Sequence, residues 1–277
     1  MNAAHQMQKN LFIGRLRRCF YLWNGISLLL CLAAAPTCRA QELTIAAAAD
    51  LRPALDEMTK RFEPASGIHL RVIYGSSGEL FQQIKNGAPM DVFLSANSSY
   101  ARTLEQNGEA TAGSYYEYAR GKIVLAVVND SKLDVTRGLS VLLDPAVRKI
   151  AIADPAHAPY GQAAVSALKT EKLYDKVSSK LVTGENISQA TSFVLSGAAD
   201  AGIVALSLVI APPARAQVRF AEIPDGEYPP VVQACVIVRS AKNQAAATKF
   251  EAYLQSDEAR KIFRSFGFDA PVQKPLQ

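Results

Sequence analysis

The sequence is poor in the residues that carry covalent and metal chemistry. Its 277 residues include one Trp, three His and four Cys. From residue 41 onward only His69, His157 and Cys235 remain of the last two types. No His or Cys pair stands at metal-ligand spacing, so no direct cation ligands are expected. His69 alternates with Ile68, Leu70 and Val72 in a strand pattern, which gives it a surface or structural place. His157 would need a distant Ser to build a hydrolase constellation, and no Gly-x-Ser-x-Gly elbow is present. Phosphate-binding loops ending Gly-Lys-Ser/Thr and Gly-x-Gly-x-x-Gly turns are also missing. The expectation is a protein that is not an enzyme and carries no cofactor. A lone Cys235 in the apolar run 231–238 forms no internal disulfide and reads as a buried strand residue.

Acidic residues are missing from positions 1–40, which hold Lys9, Arg15, Arg17, Arg18 and Arg39. The formal charge of +5 is therefore confined to this segment, and the rest balances at 25 basic and 25 acidic residues. A nucleic-acid partner loses its support once the charge is placed. Three Arg, the apolar run 26–35, Pro36, and small residues at Cys38 and Ala40 follow the order of a secretory signal peptide. Cleavage after Ala40 and a periplasmic location are expected. The apolar run is short of the ~20 residues a membrane span needs. Lipid attachment at Cys31 or Cys38 is disfavoured by Leu30 and Thr37 before them.

From residue 43, short β-branched runs alternate with helical patterns. Strands are expected at 43–48, 68–74, 92–95, 123–128, 150–153, 202–205, 218–221 and 231–238. Leu51, Leu55, Met58 and Phe62 recur on one helical face, and two helices close the chain near Gly267. The fold class is α/β: two α/β lobes with mostly parallel sheets, joined by crossing hinge strands with a ligand cleft between them. Residues 41–122 plus 231–277 form the first lobe and 123–230 the second.

The strand-to-helix junctions carry the most information. They are Ala46-Ala47-Ala48-Ala49-Asp50-Leu51, Gly75-Ser76-Ser77-Gly78, Pro159-Tyr160-Gly161 before a helix at 162–172, and Gly184-Glu185-Asn186-Ile187-Ser188 before a helix at 189–196. Each helix start offers free N–H groups and the positive end of a dipole. Facing one another, four starts would hold one anion without Lys or Arg. Taken singly, each is also an ordinary cap or turn.

These junctions, with Gly87-Ala-Pro-Met-Asp-Val-Phe-Leu-Ser-Ala96, Asp154-Pro-Ala-His-Ala-Pro-Tyr-Gly161, Ala201-Gly-Ile-Val204 and the closing 263–268, resemble the solute-binding proteins of molybdate ABC transporters. The resemblance covers Leu43 to Phe268. It implies a periplasmic protein that closes over molybdate or tungstate and delivers it to an ABC permease in the inner membrane; a monomer is expected. It also implies a site formed by Ala49, Asp50, Ser76, Ser77, Tyr160 and Ile187. Ser77 would donate through hydroxyl and backbone, and Tyr160 and Ile187 through backbone N–H.

Two positions depart from the family pattern. Some members place a Tyr hydroxyl where this chain has Ala205, and Tyr160 is expected to bring its own hydroxyl instead. Asp50 replaces a small polar residue, and an ionised carboxylate donates no hydrogen bond. Either Asp50 caps its helix and turns away, the reading preferred on its position, or it is protonated in the closed site, or the ligand carries a proton. Outside this reading stand a binder of sulfate, phosphate or phosphonate, a secreted hydrolase using Ser76 or Ser77, and a sensory module.

Overall fold

The computed structural model describes residues 41–271, so the export signal expected at 1–40 lies outside the described residues. The first lobe begins with β1 (Gln41–Ala48), α1 (Arg52–Ser66), β2 (Ile68–Gly75), α2 (Ser77–Lys85), β3 (Val92–Ser95), α3 (Ser98–Gln106) and β4 (Tyr116–Gly121). Lys122 alone separates β4 from β5 (Ile123–Val128), the first strand of the second lobe. That lobe continues with β6 (Ile150–Ala153), α4 (Pro159–Thr170), α5 (Tyr174–Val177), β7 (Leu181–Gly184), α6 (Ile187–Leu195), β8 (Ala201–Ala205), α7 (Leu206–Ile210) and β9 (Val218–Glu222). The chain returns as β10 (Val231–Ile237) and ends with α8 (Gln244–Leu254) and α9 (Asp257–Ser265).

Two five-stranded sheets result, ordered β2-β1-β3-β10-β4 and β7-β6-β8-β5-β9. Four strands of each point the same way. The exceptions are β10 and β5, each antiparallel to both of its neighbours. Each is the strand by which the chain enters from the other lobe. The central strands β3, β6 and β8 are buried at every residue, as sheets covered by helices on both faces require.

The periodic face Leu51, Leu55, Met58 and Phe62 is wholly buried. Phe62 meets Phe250 of α8 edge-on at 5.3 Å, and Arg61 pairs with Glu258 of α9 at 3.2 Å. The two closing helices thus lie against α1 in the first lobe. Cys235 is buried and free in β10. The crossing segments touch one another, since Ile123 N–H donates to Tyr228 Oη at 3.4 Å. Lys122 bridges Asp269 and Glu222 at 3.3 and 3.6 Å.

Two strands escaped the sequence pattern, β4 and β7. Both lie at sheet edges. Glu117 and Arg120 interrupt the apolar signal of β4, and no residue of β7 but Gly184 is buried.

Candidate functional site

Four chain segments leave the C-terminal ends of parallel strands and converge. β1 runs into a single 3₁₀ turn, Ala49–Leu51, before α1; β2, β6 and β7 lead to α2, α4 and α6. Helix geometry leaves the first N–H groups of each helix without intrahelical acceptors, and most find one nearby. In α2, Glu79 N–H donates to the N-cap Ser76 Oγ at 3.4 Å and Leu80 N–H to the Ser76 carbonyl at 3.0 Å. In α6, Asn186 Oδ1 accepts from the N–H groups of Ser188 and Gln189 at 3.0 and 3.2 Å. In α4, Pro159 has no N–H, while those of Gly161 and Gln162 reach the Ala158 carbonyl at 3.0 and 3.1 Å. One N–H in each helix, those of Ser77, Tyr160 and Ile187, has no acceptor among the described residues. All three residues are buried.

The Ser77 hydroxyl adds a fourth donor. Its oxygen accepts the Ala96 N–H at 2.9 Å, which fixes the side chain and leaves the proton to donate. Four hydrogen bonds draw these elements together across the lobes. Gly78 N–H donates to the His157 carbonyl at 2.9 Å, and Ser188 Oγ to the Ala49 carbonyl at 3.1 Å. Ser207 Oγ donates to the Asp50 carbonyl at 2.9 Å, and Tyr160 Oη to Asp50 Oδ2 at 2.7 Å. Gly78 is required here, because a Cβ on it would stand 2.6 Å from the His157 carbonyl oxygen. Gly121 at the crossing is required for the same reason, since a Cβ there would overlap Tyr160 Oη. Beside the set, a groove of about 240 Å³ opens between Asn97 and Ser98, Pro159 and Gln162, and Pro230 and Val232.

Asp50 corrects two expectations. It is no helix cap: the N-cap of α1 is Leu51, with no side-chain cap bond, and the Asp50 carboxyl is fully buried. Its Oδ2 accepts from Tyr160 Oη and from Gln233 Nε2, while Oδ1 has no partner among the described residues. The Tyr160 hydroxyl is therefore committed to Asp50 and does not replace the one missing at Ala205. Burial pushes the Asp50 carboxyl up to about 6, against the lowering effect of the Gln233 and Tyr160 bonds. Burial, reinforced by the Asp50 charge, holds Tyr160 and Tyr118 well above the ordinary phenol range, so both remain donors.

The helix starts also shift. α4 opens at Pro159 rather than 162, and α6 at Ile187 rather than 189, which puts Tyr160 and Ile187 inside their first turns. Ser76 Oγ accepts at the cap of α2, which leaves its proton to donate. Ala49 contributes only backbone.

Sequence reasoning missed Gln233, whose Oε1 accepts from Tyr118 Oη at 2.9 Å and whose Nε2 also reaches Tyr160 Oη at 3.2 Å. The signal was present: Gln233 is the one polar residue in the run Val231–Ile237. Ser188 and Ser207 carried no such mark. Among the described residues, no group of three or more His, Cys, Asp or Glu could hold a metal ion.

Two α/β lobes meeting over buried helix starts are the architecture of a two-lobed solute-binding protein. The model of the bacterial extracellular solute-binding protein family matches residues 43–269, and the chain belongs to that family. It is 35% identical over 244 residues to the molybdate-binding protein ModA of Azotobacter vinelandii, covering 88% of this chain and 94% of that one. Its identity to ModA of Rhodobacter capsulatus is 34% over 229 residues, covering 83% and 88% respectively. The solved periplasmic molybdate-binding protein of A. vinelandii superposes with a TM-score of 0.78 at 34% identity, covering 83% of this chain and 99% of that one.

Proposed function

We propose that the protein captures molybdate, and the similarly shaped tungstate, outside the cytoplasmic membrane and delivers it to the permease of an ABC importer. The observation that carries this reading is the set of buried N–H groups without acceptors among the described residues at Ser77, Tyr160 and Ile187, with the Ser77 hydroxyl, on helix starts that hydrogen bonds tie together across the lobes. A tetrahedral oxyanion without protons presents only acceptors, and each charge-assisted bond contributes about 1.5–3 kcal/mol. Selection rests on cavity size and donor placement, since residues 41–277 carry balanced charge. The relatives named as molybdate-binding proteins support the same assignment. The chain works as a monomer that binds one anion and releases it unchanged.

Thermal unfolding tests this reading. A ligand held only by the folded state at 100 times its Kd adds about 2.7 kcal/mol of stability. Molybdate and tungstate should raise the Tm by several degrees, and sulfate should leave it unmoved. A Tm raised by phosphate and unaffected by molybdate would assign the protein to a different oxyanion.

A further inference from the structure

Asp50 is the anomaly of a site otherwise built from donors. The carboxyl is fully buried, both side-chain hydrogen bonds to it fall on Oδ2, and Oδ1 has no partner among the described residues. Asp50 follows Ala49, whose carbonyl accepts from Ser188 at the start of α6, so an ionised carboxylate there would repel a dianion held by these helix starts. The groups that face it are Tyr160 from α4, Gln233 from β10, Tyr118 from β4 beyond Gln233, and Ser207 of α7 on its backbone carbonyl. Cys235, the other titratable group on β10, is held well above its ordinary value by burial and stays a neutral thiol. Among the described residues, no Lys, Arg or His forms an ion pair with Asp50.

Resting on the molybdate reading above, we propose that one proton enters the site with each oxyanion and is shared between Asp50 Oδ1 and an oxo oxygen of the ligand. The proton comes from solvent, converts the carboxylate to a carboxylic acid, and turns the bare oxygen into a fifth donor. No other bond changes. Tyr160 and Gln233 act as positioning residues, since their donors hold Oδ2 and so leave Oδ1 as the atom that takes the proton. The energetic direction agrees with burial, which already favours the neutral acid, and an adjacent dianion favours it further. Asp50 thereby makes capture of a fully deprotonated oxyanion pH-dependent. An anion that brings its own proton needs none from solvent.

The test is calorimetric titration of the protein with sodium molybdate at pH 8 and pH 6.5, in pairs of buffers of different ionisation enthalpy. Wild-type protein should take up about one proton per molybdate at pH 8, and its affinity should fall about tenfold per pH unit over this range. Asp50→Asn, with an amide to donate where Oδ1 stands, should bind with no proton uptake and a pH-independent affinity. Wild-type binding without proton uptake would overturn the inference while leaving the functional reading intact. Uptake retained in Asp50→Asn would overturn it too, by placing the proton elsewhere. A protein that binds no molybdate at either pH would refute the functional reading itself, and this inference with it.

Discussion

At the scale of the residue, the proposed site turns on Asp50 and Ser77. Burial raises the Asp50 carboxyl from 3.8 to about 6, so the folded chain holds a proton there that the unfolded chain releases. Stability from this group is complete below about pH 4, falls as pH rises to about 6, and stays lost above. Two pH units correspond to about 3 kcal/mol at about 1.4 kcal/mol per unit. Ligand-free Asp50→Asn should therefore be more stable than wild type at pH 7 by 1 to 3 kcal/mol on that scale, with the difference gone at pH 4. Urea unfolding at the two pH values checks this, and an equal difference at both would contradict it. Ser77→Ala removes one donor from a buried anion and should weaken molybdate binding by about 1–3 kcal/mol, read by titration. The sequence made Ser77 legible through its Gly-Ser-Ser-Gly junction. It did not disclose where the Asp50 carboxyl points, because a helix-start Asp is more often a cap, and the decisive partner, Gln233, lies 183 positions away.

At the scale of the element, the site is a property of strand ends. α2, α4 and α6 each follow the C-terminal end of a parallel strand, and each has one N–H left over after capping. Backbone meets backbone at α2, where the Gly78 N–H donates to the His157 carbonyl ahead of α4 at 2.9 Å. Gly78→Ala would put a Cβ 2.6 Å from that oxygen, and backbone on both sides gives little room to yield. This variant should fold, hold its lobes apart, and bind molybdate at least tenfold more weakly, about 1.4 kcal/mol. Small-angle scattering with saturating molybdate checks it, and compaction equal to wild type would refute the steric argument. The start at Ser77 follows from its Ser76 cap, whereas at α6 the Asn186 cap sets the start at Ile187, two residues before the 189 expected from the sequence. α4 was harder, since Pro159 opens the helix without a capping side chain. The missed strands, β4 and β7, are edges: Glu117 and Arg120 break up the apolar signal of β4, and β7 buries only Gly184, so neither has the apolar run that marked their neighbours.

At the scale of the whole molecule, the two sheets repeat one strand order, with the entering strand antiparallel in each. That symmetry puts the C-terminal ends of both parallel sets at one seam, crossed by Lys122 and by the segment before Val231. No sequence repeat announces it, because similar topology needs only similar patterns of burial. The alternation of strands and helices made the two-lobed class legible, and the return of Val231–Ile237 pointed to the crossing. The central claim is that this seam closes on molybdate through neutral donors, without Lys or Arg. Its most direct test is isothermal titration calorimetry with molybdate, tungstate, sulfate and phosphate, each titrated alone and in competition at mildly acidic pH. The account predicts saturable one-to-one binding of molybdate and tungstate, each displacing the other, with no heat from sulfate. No saturable heat from either, or preferential binding of sulfate or phosphate, would contradict it.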